Sequence, residues 1–287
     1  MELDPNQMEA WKQFIPDSTL ELLLNPTAQA VGYSIGGLFY GIFGKLIRYG
    51  VVKKAETDAL IKQVSEQYSK IPEERRTDEN KGLIYKAFED SRYSLSSENL
   101  RTLFANLIAN SADRNYSNKI SPYFSTVLKN LSVDDALFLS KFKQKFHKNK
   151  YVIEGPDYIV NNALPICRVK LTGQNTNNSK YTNIAYKNQE STFANDSKNI
   201  LNVYSKEIET FSSFNIMVCQ YDKQRESFFD DYNIMRKLLR IDEEQKGIDG
   251  ESDHVFYLTQ AFNKASAEFG CVELTELGQS FTNMVLL

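Results

Sequence analysis

The sequence predicts a mainly α protein, with helical N-terminal and middle regions and a winged-helix-like α+β domain at the C-terminus. Three observations support this class. Apolar residues recur at spacings of three and four through the first half of the chain, which is the period of an α-helix. After Lys150 the segments become rich in β-branched and aromatic residues, which favour strands. A helical stripe and a closing strand and helix follow, in the order of a winged-helix module.

Composition and charge exclude several classes of protein. The 287 residues are 41% hydrophobic and 25% charged, which is typical of a globular protein. The net charge of -3 gives no overall basic field to attract nucleic acid or anionic lipid. The three cysteines lie far apart and the chain has two histidines, a pattern that predicts neither a disulfide framework nor a zinc site. We therefore expect no metal and no cofactor.

The start of the chain is acidic and amphipathic, where a secretory signal would carry a basic region followed by an apolar run. We therefore expect a cytoplasmic protein.

Changes in composition predict three regions. Residues 1–70 form an amphipathic and glycine-rich helical region, 71–148 a helical domain, and 149–287 the winged-helix-like domain. Within the last region, residues 172–199 are dominated by Asn, Ser, Thr, Lys and Gln. Such a run buries too little apolar surface to offset its ordering entropy, so we expect a long loop with one strand at 181–186.

Two helices of the middle region have clear start signals. Residues 95–112 carry an apolar stripe, and Ser96 is a good N-cap for it. Asp134 and Asp135 predict the start of a second helix. The apolar stripe of this second helix is expected to comprise Leu137, Phe138, Phe142 and Phe146.

The C-terminal region alternates strand and helix patterns. Residues 151–160, 164–173 and 254–262 are predicted to contain strands, and 227–241 a helix. The end of the chain, 271–287, is typical of a strand, a turn and a short helix. Phe228, Tyr232, Met235 and Leu239 form the stripe of the first of these helices, and Thr275 is placed to cap the second.

Residues 32–50 carry an unusual helical pattern, with five glycines between 32 and 44. Each glycine in an exposed helix costs about 1 kcal/mol relative to alanine, so five cost about 4–5 kcal/mol. A helical projection places six large residues on one face, and burying them is worth about 1.5–3 kcal/mol each. The apolar face comprises Ile35, Leu38, Phe39, Ile42, Leu46 and Tyr49, and the opposite face Ser34, Gly37, Gly41, Lys45 and Arg48. The helix is stable only if its apolar face is covered.

Three coverings of this face stay open. In the first, the helix packs against its own domain or a second subunit. In the second it lies at a lipid interface, and in the third it spans the bilayer. An interfacial helix would bring Lys45, Arg48, Lys53 and Lys54 to anionic headgroups. A span would use the pairs Gly32/Gly36 and Gly37/Gly41, which match the small-xxx-small pattern, but Asn25-Pro26 limits its length.

The residue patterns of the chain predict no enzyme. The chain has no phosphate-binding GxxxxGK[ST] motif, and GYSIG matches the nucleophile elbow GxSxG by letters but lies in a helical segment. Adjacent acidic pairs point in different directions on a helix and do not converge on one substrate. Arg236, Lys237 and Arg240 are candidate contacts for a partner or nucleic acid. Two aspartates at the start of the same helix would repel phosphate, which disfavours nucleic acid.

A series of motifs in the middle region resembles a known family. The series comprises Ile-Pro-Glu-Glu at 71–74, Leu-Arg-Thr-Leu-Phe-Ala-Asn-Leu-Ile at 100–108, Asp113, Pro-Tyr-Phe at 122–124, and Leu-Ser-Val-Asp-Asp-Ala at 131–136. In this order and spacing the residues resemble the Abi-alpha (abortive infection alpha) family.

The end of the chain, VELTELGQSF, is similar to the family's Leu-Thr-x-x-Gly-x-x-Phe ending. The glycine-rich helix resembles the family only in general character, and the Asn-rich insertion departs from it.

The resemblance implies a bacterial or prophage-borne protein that defends against bacteriophage by halting or killing the infected cell. It carries over no catalytic residues. The leading hypothesis is a non-enzymatic protein, cytoplasmic or peripheral to the inner membrane, whose glycine-rich helix is covered at rest and exposed on infection. A homo-oligomer and a phage-encoded trigger protein are the expected partners. The alternative is a winged-helix adaptor or regulator that binds a phage protein or nucleic acid, with the glycine-rich helix structural.

Overall fold

The computed structural model describes residues 32–145, 158–172, 189–195, 201–221, 224–239 and 264–286. The chain divides into two compact units. The helical unit comprises residues 1–160 and 277–287, and the sheet unit comprises residues 161–276. The sheet unit is thus an insertion in the chain of the helical unit.

The described residues form helices and antiparallel strands. The helices are α1 Gly32–Arg48, α2 Lys54–Tyr68, α3 Lys81–Ser91, α4 Glu98–Asn110, α5 Pro122–Lys129, α6 Val133–Ser140, α7 Ser205–Ser213, α8 Phe229–Leu239 and α9 Glu276–Leu286. The strands are β1 Lys143–Lys145, β2 Tyr158–Val160, β3 Ala163–Thr172, β4 Gln189–Asn195, β5 Leu201–Val203, β6 Met217–Gln220 and β7 Lys264–Leu274.

Serine side chains begin three of the helices in the helical unit. Ser97 accepts a hydrogen bond from the Leu100 amide at the start of α4, so the predicted cap Ser96 is one residue early. Ser121 caps α5, whose first residue is a proline. Ser132 and Asp135 form a reciprocal capping box at the start of α6, where acidic residues were expected.

Helix α4 forms the centre of the helical unit. Its predicted stripe of Leu100, Leu103, Phe104, Leu107 and Ile108 is buried, as expected. Ala105, Asn106 and Ala109 are buried too, because helices α2, α3, α5 and α6 all pack against α4. The helix is therefore enclosed on more than one side.

Helix α6 is shorter than its pattern predicts. It ends at Ser140, and residues 143–145 pair as strand β1 with β2. Phe138 and Phe142 are buried with their ring centroids 6.1 Å apart, as expected, but Leu137 is 49% exposed. The prediction that the stripe continues through Phe146 concerns a residue outside the described ones.

The sheet unit contains a five-stranded antiparallel sheet in the order β5-β4-β3-β7-β6. The central pair, β3 and β7, runs from Ala163 opposite Glu273 to Thr172 opposite Lys264. The prediction of loop for residues 189–195 is wrong, because these residues form β4 between β3 and β5. The predicted strands at 181–186 and 254–262 lie outside the described residues.

Helix α8 packs on this sheet with three residues of the predicted stripe, while the fourth, Leu239, has a side chain outside the described ones. Tyr232 and Met235 are buried against Cys167 and Phe269, and Phe228 is half-buried beside them. The Tyr232 hydroxyl donates a 3.0 Å hydrogen bond to the Gly270 carbonyl. A mainly α fold with a C-terminal α+β region is thus confirmed, whereas the winged-helix likeness is not confirmed.

The strand, turn and helix predicted at the end of the chain are confirmed, since β7 ends at Leu274 and α9 begins at Glu276. Thr275 lies between them, and its hydroxyl donates to the Asn215 carbonyl at 2.7 Å. From Leu277 onward the helix belongs to the helical unit, whereas the sequence pattern places it in the C-terminal domain. The domain boundaries at 70 and 148 stay predictions.

Gly270 is required by a close approach of two backbone segments. A Cβ atom at this position would lie 2.0 Å from the Gln220 carbonyl oxygen and 2.6 Å from the Tyr221 Cα. Because these are backbone atoms, we expect Gly270→Ala to destabilise the sheet unit by about 3 kcal/mol or more in urea unfolding. Gly82→Ala is the control, because an added Cβ there has no atom within 4 Å. Equal stability of Gly270→Ala and the unmodified chain would contradict this packing.

Candidate functional site

Helix α1 buries its apolar face inside the helical unit. Ile35, Phe39, Ile42 and Phe43 are all buried. The Phe88 ring of α3 lies 5.6 Å from Phe39 and 6.3 Å from Phe43, measured between centroids, in edge-on geometry. In this structure the helix therefore has the first of the three expected coverings, packing against its own domain.

The buried face differs in detail from the predicted one. Leu38 and Leu46 are half-buried, and Tyr49 is 77% exposed. The structure adds Phe43, which the projection omitted although it lies one turn after Phe39. Tyr49 leaves the face because α1 ends at Arg48, and Gly50, with a φ of 67°, then turns the following chain.

The glycines of α1 have unequal surroundings. Gly36 is buried in the helical unit. At Gly37, Gly41 and Gly44 an added Cβ would find no atom within 4 Å, apart from the helix's own neighbouring backbone. These three glycines, the open glycine row, therefore mediate no close packing within the described part of the chain. Gly32 is the first residue of the helix.

The end of α1 and the turn after it form an exposed basic and aromatic surface, which we call the α1 tip. Lys45 and Arg48 are exposed in the last turn of the helix, where cations are favoured by the helix dipole. Tyr49 and Val51 follow, 77% and 67% exposed. The exposed Lys53, whose ammonium lies 3.5 Å from the Glu56 carboxylate, completes the surface. Aromatic and aliphatic side chains beside cations are typical of surfaces that meet anionic lipid. Among the described residues no helix is long and apolar enough to cross a bilayer.

Side-chain hydrogen bonds hold the last turn of helix α9 in the helical unit. Asn106 donates to the Val285 carbonyl at 2.8 Å, and Asn110 donates to the Met284 carbonyl at 2.9 Å. The Lys143 ammonium donates to the Leu286 carbonyl at 2.6 Å. Burial, and next the charge of Lys70, lower the pKa of Lys143. These three side chains satisfy carbonyl groups that a helix C-terminus leaves without partners.

The motif residues meet around the same helices. Arg75, which follows the Ile-Pro-Glu-Glu motif, forms a two-bond ion pair with the buried carboxylate of Asp113. The Phe124 ring packs 5.6 Å from that of Phe281, so the middle motifs and the C-terminal ending are in contact. Of these two contacts, the one between Phe124 and Phe281 places α9 against the middle motifs.

Arg236 is engaged inside the sheet unit. Its guanidinium lies 4.7 Å from the centroid of the Phe269 ring and donates to Asn233 at 3.2 Å and Gln224 at 3.4 Å. Lys237 lies on α8, and Arg240 follows the last described residue of that segment. Whether the three predicted contact residues lie close together therefore stays a prediction.

The described residues bring together no three His, Cys, Asp or Glu side chains that could hold a metal ion. Burial raises the pKa of the Cys167 thiol to about 12 and that of Cys271 to about 11, the latter together with a hydrogen bond to Glu273. Both thiols are therefore protonated at neutral pH and are poor nucleophiles.

Comparison with known proteins identifies one family. A family model described as abortive infection alpha matches residues 52–285. No curated protein and no solved structure matches the chain. The match confirms the resemblance found in the sequence and covers α2 to nearly the end of α9, whereas α1 and most of its tip precede it.

Loss of the Asn106 and Asn110 amides is expected to loosen α9. Because carbonyl groups at its last turn would lose their donors, we expect Asn106→Ala/Asn110→Ala to lower the free energy of unfolding by about 2 kcal/mol or more in urea titrations. Asn130→Ala is the matched control, since the exposed Asn130 amide bonds the nearby Thr126 carbonyl and its loss is expected to cost about 0.5 kcal/mol or less. Equal costs for the two variants would show that α9 is not held by these bonds.

Proposed function

The chain belongs to the abortive infection alpha family, and we propose that it serves this defence role without catalysis, by bringing helix α1 to the inner membrane of an infected cell. The observation that carries the proposal is which faces of α1 are covered and which are exposed. Its apolar face is covered by the helical unit, while its glycine row and its tip face outward. A phage-encoded protein is the proposed trigger.

Before infection, burial of the apolar face of α1 in the helical unit keeps this face away from lipid. Phe39 and Phe43 are fully buried, and the contacts with Phe88 hold them in the helical unit. Exposing two phenylalanines and two isoleucines to water would cost about 1.5–3 kcal/mol each. Release of α1 therefore requires either a trigger that competes for this face or an apolar surface that receives it.

The open glycine row lowers the stability of α1 in its covered position. Each of Gly37, Gly41 and Gly44 costs about 1 kcal/mol relative to alanine, and an added Cβ at each would meet no atom within 4 Å. The row therefore reduces the helix's net stability by about 3 kcal/mol without a packing gain in this unit. Elements that move in switching proteins are drawn from such low-stability segments.

The α1 tip supplies the initial membrane contact. Each cation near an anionic surface contributes about 1 kcal/mol, and tyrosine favours the headgroup region. Lys45, Arg48 and Lys53 lie beside the exposed Tyr49 and Val51. This arrangement supports a peripheral contact that salt weakens.

The alternative, an adaptor that binds nucleic acid through α8, has weaker support. The Arg236 guanidinium stacks on Phe269 and bonds neighbours of its own unit. Two acidic residues, Asp230 and Asp231, lie in the first turn of that helix and would repel phosphate.

Membrane fractionation before and after infection tests the proposal. We expect the unmodified chain to move into the membrane fraction after infection and to be released by high salt. Lys45→Glu/Arg48→Glu should stay in the supernatant and lose protection, because reversed charges are repelled by anionic lipid.

The double variant Lys62→Glu/Lys119→Glu has the same change in net charge at exposed positions away from the tip and should behave like the unmodified chain. Full protection by Lys45→Glu/Arg48→Glu, with no redistribution of the unmodified chain, would refute membrane action.

Alanine in the open glycine row is expected to hold α1 in place. Gly37→Ala/Gly41→Ala/Gly44→Ala should stabilise the helical unit by about 1 kcal/mol per site in urea unfolding. Protection against phage should fall, because release of α1 through a locally unfolded state becomes harder by the same amount. Gly82→Ala, at another open glycine, should leave protection unchanged. A stabilised triple variant that protects fully would show that release of α1 is not part of the mechanism.

A further inference from the structure

We propose that helices α3 and α5 form a docking surface for an acidic segment of a protein partner. The surface surrounds Tyr93, which lies just after the C-cap of α3, and we call it the Tyr93 patch. It comprises Lys86, Arg92, Tyr93 and Lys129, with Asp90 buried beneath them. The proposal uses none of the residues of α1 and is independent of membrane action.

Tyr93 is the exposed centre of the patch. Its side chain is 70% exposed although it is large and aromatic. The Arg92 guanidinium carbon lies 5.4 Å from the ring centroid and the Lys129 ammonium lies 5.7 Å from it, both within cation–π range. Tyrosine and arginine are enriched among the side chains that dominate protein–protein binding energy.

A buried carboxylate fixes the positions of the cations. Asp90 is 7% exposed, accepts a 2.8 Å hydrogen bond from Ser125, and pairs with Lys86 and, at 3.4 Å, with Lys129. Burial acts to raise the pKa of Asp90, but hydrogen bonds from Lys86, Ser125 and Lys129 outweigh it, so the pKa lies below its usual range. The carboxylate therefore stays ionised and holds Lys129 beside the Tyr93 ring.

Two of the three cations have N–H groups that can donate hydrogen bonds to a partner. Lys86 directs its ammonium to Asp90, Ser125 and Thr126, which uses all three of its N–H groups. Lys129 pairs with Asp90 through a single 3.4 Å contact, and Arg92 bonds the Glu89 carbonyl through Nε at 2.8 Å. The Arg92 Nη2 lies 3.9 Å from the Glu89 carboxylate, beyond hydrogen-bond length. Lys129 and Arg92 can therefore bind carboxylates of a partner.

The charge of the patch selects the partner. Three cations face two carboxylates, and one of these, Asp90, is buried, so the outward surface is positive in a chain of net charge -3. Tyr85 and Tyr123 are also partly exposed one turn before Glu89 and Thr126 on the same helices, and they add apolar contact area. Carboxylates interspersed with apolar side chains match this combination.

Nucleic acid fits the patch less well. Binding a phosphate backbone takes a row of cations, whereas the patch directs two outward. The cations beside the Tyr93 ring also compete with base stacking on it.

The test is a nuclear magnetic resonance titration of the full chain with a short synthetic peptide rich in glutamate and leucine. We expect shifts at Tyr93, Arg92 and Lys129, and no binding of the matched peptide with glutamine in place of glutamate. Arg92→Glu/Lys129→Glu should weaken binding about tenfold or more, because it replaces two attractions by repulsions. Glu89→Gln should strengthen binding about two- to fivefold, since it removes a competing carboxylate.

The control is Lys62→Glu/Lys119→Glu, which has the same net charge as the double variant and should bind like the unmodified chain. If Arg92→Glu/Lys129→Glu unfolds, Lys129→Gln should still weaken binding severalfold. Peptide binding that ignores these substitutions, or no binding at millimolar peptide, overturns the proposal. Tighter binding of a single-stranded oligonucleotide or of anionic vesicles through the same residues also overturns it.

Discussion

The contact between helix α4 and the last turn of α9 is the constraint on which the helical unit depends. Helix α4 is enclosed by α2, α3, α5 and α6, and its Asn106 and Asn110 side chains supply hydrogen bonds to α9 carbonyls. Because α9 follows the sheet unit in the chain, the helical unit is completed only when the chain returns from residue 276. The Phe124 ring of α5 packs against the Phe281 ring of α9, so a middle motif of the family also contacts its C-terminal motif.

The geometry of the sheet unit is compatible with its insertion in the chain of the helical unit. Its first and last strands are neighbours, with Ala163 opposite Glu273 and the Leu274 amide bonded to the Asn162 carbonyl at 2.7 Å. The chain therefore enters and leaves the unit side by side. Helix α1 lies at the other end of the chain, before the family match, and its apolar face is covered by the same helical unit.

Local signals explain what the sequence predicted correctly. The stripe of α4, the acidic start of α6 and the strand and helix at the end of the chain depend on residues close together in sequence. The sequence also indicated that α1 must have its apolar face covered, because its glycines cost more than an exposed helix can offset. Which surface covers it could not be predicted, since Phe88 lies outside the segment that carries the pattern.

Long-range partners explain the features that local sequence patterns did not predict. Asn106 is a polar residue inside an apolar helix, and its partner lies 179 residues later. Strand β4 has a polar composition and exists because β3 and β5 pair with it on both sides. The Tyr93 patch combines residues of two helices around a buried aspartate, and no spacing along one helix indicates it.

The central claim is that helix α1 is weakly held in the helical unit and can be released from it. Its most direct test is amide hydrogen exchange of the purified chain, in which the amides of α1 are compared with those of α4. If α1 is a weakly held element, its amides exchange through a local opening whose free energy lies well below that of global unfolding, while α4 exchanges only on global unfolding. If α1 and α4 exchange with the same free energy, α1 is an integral part of the core, and a mechanism that depends on its release is wrong.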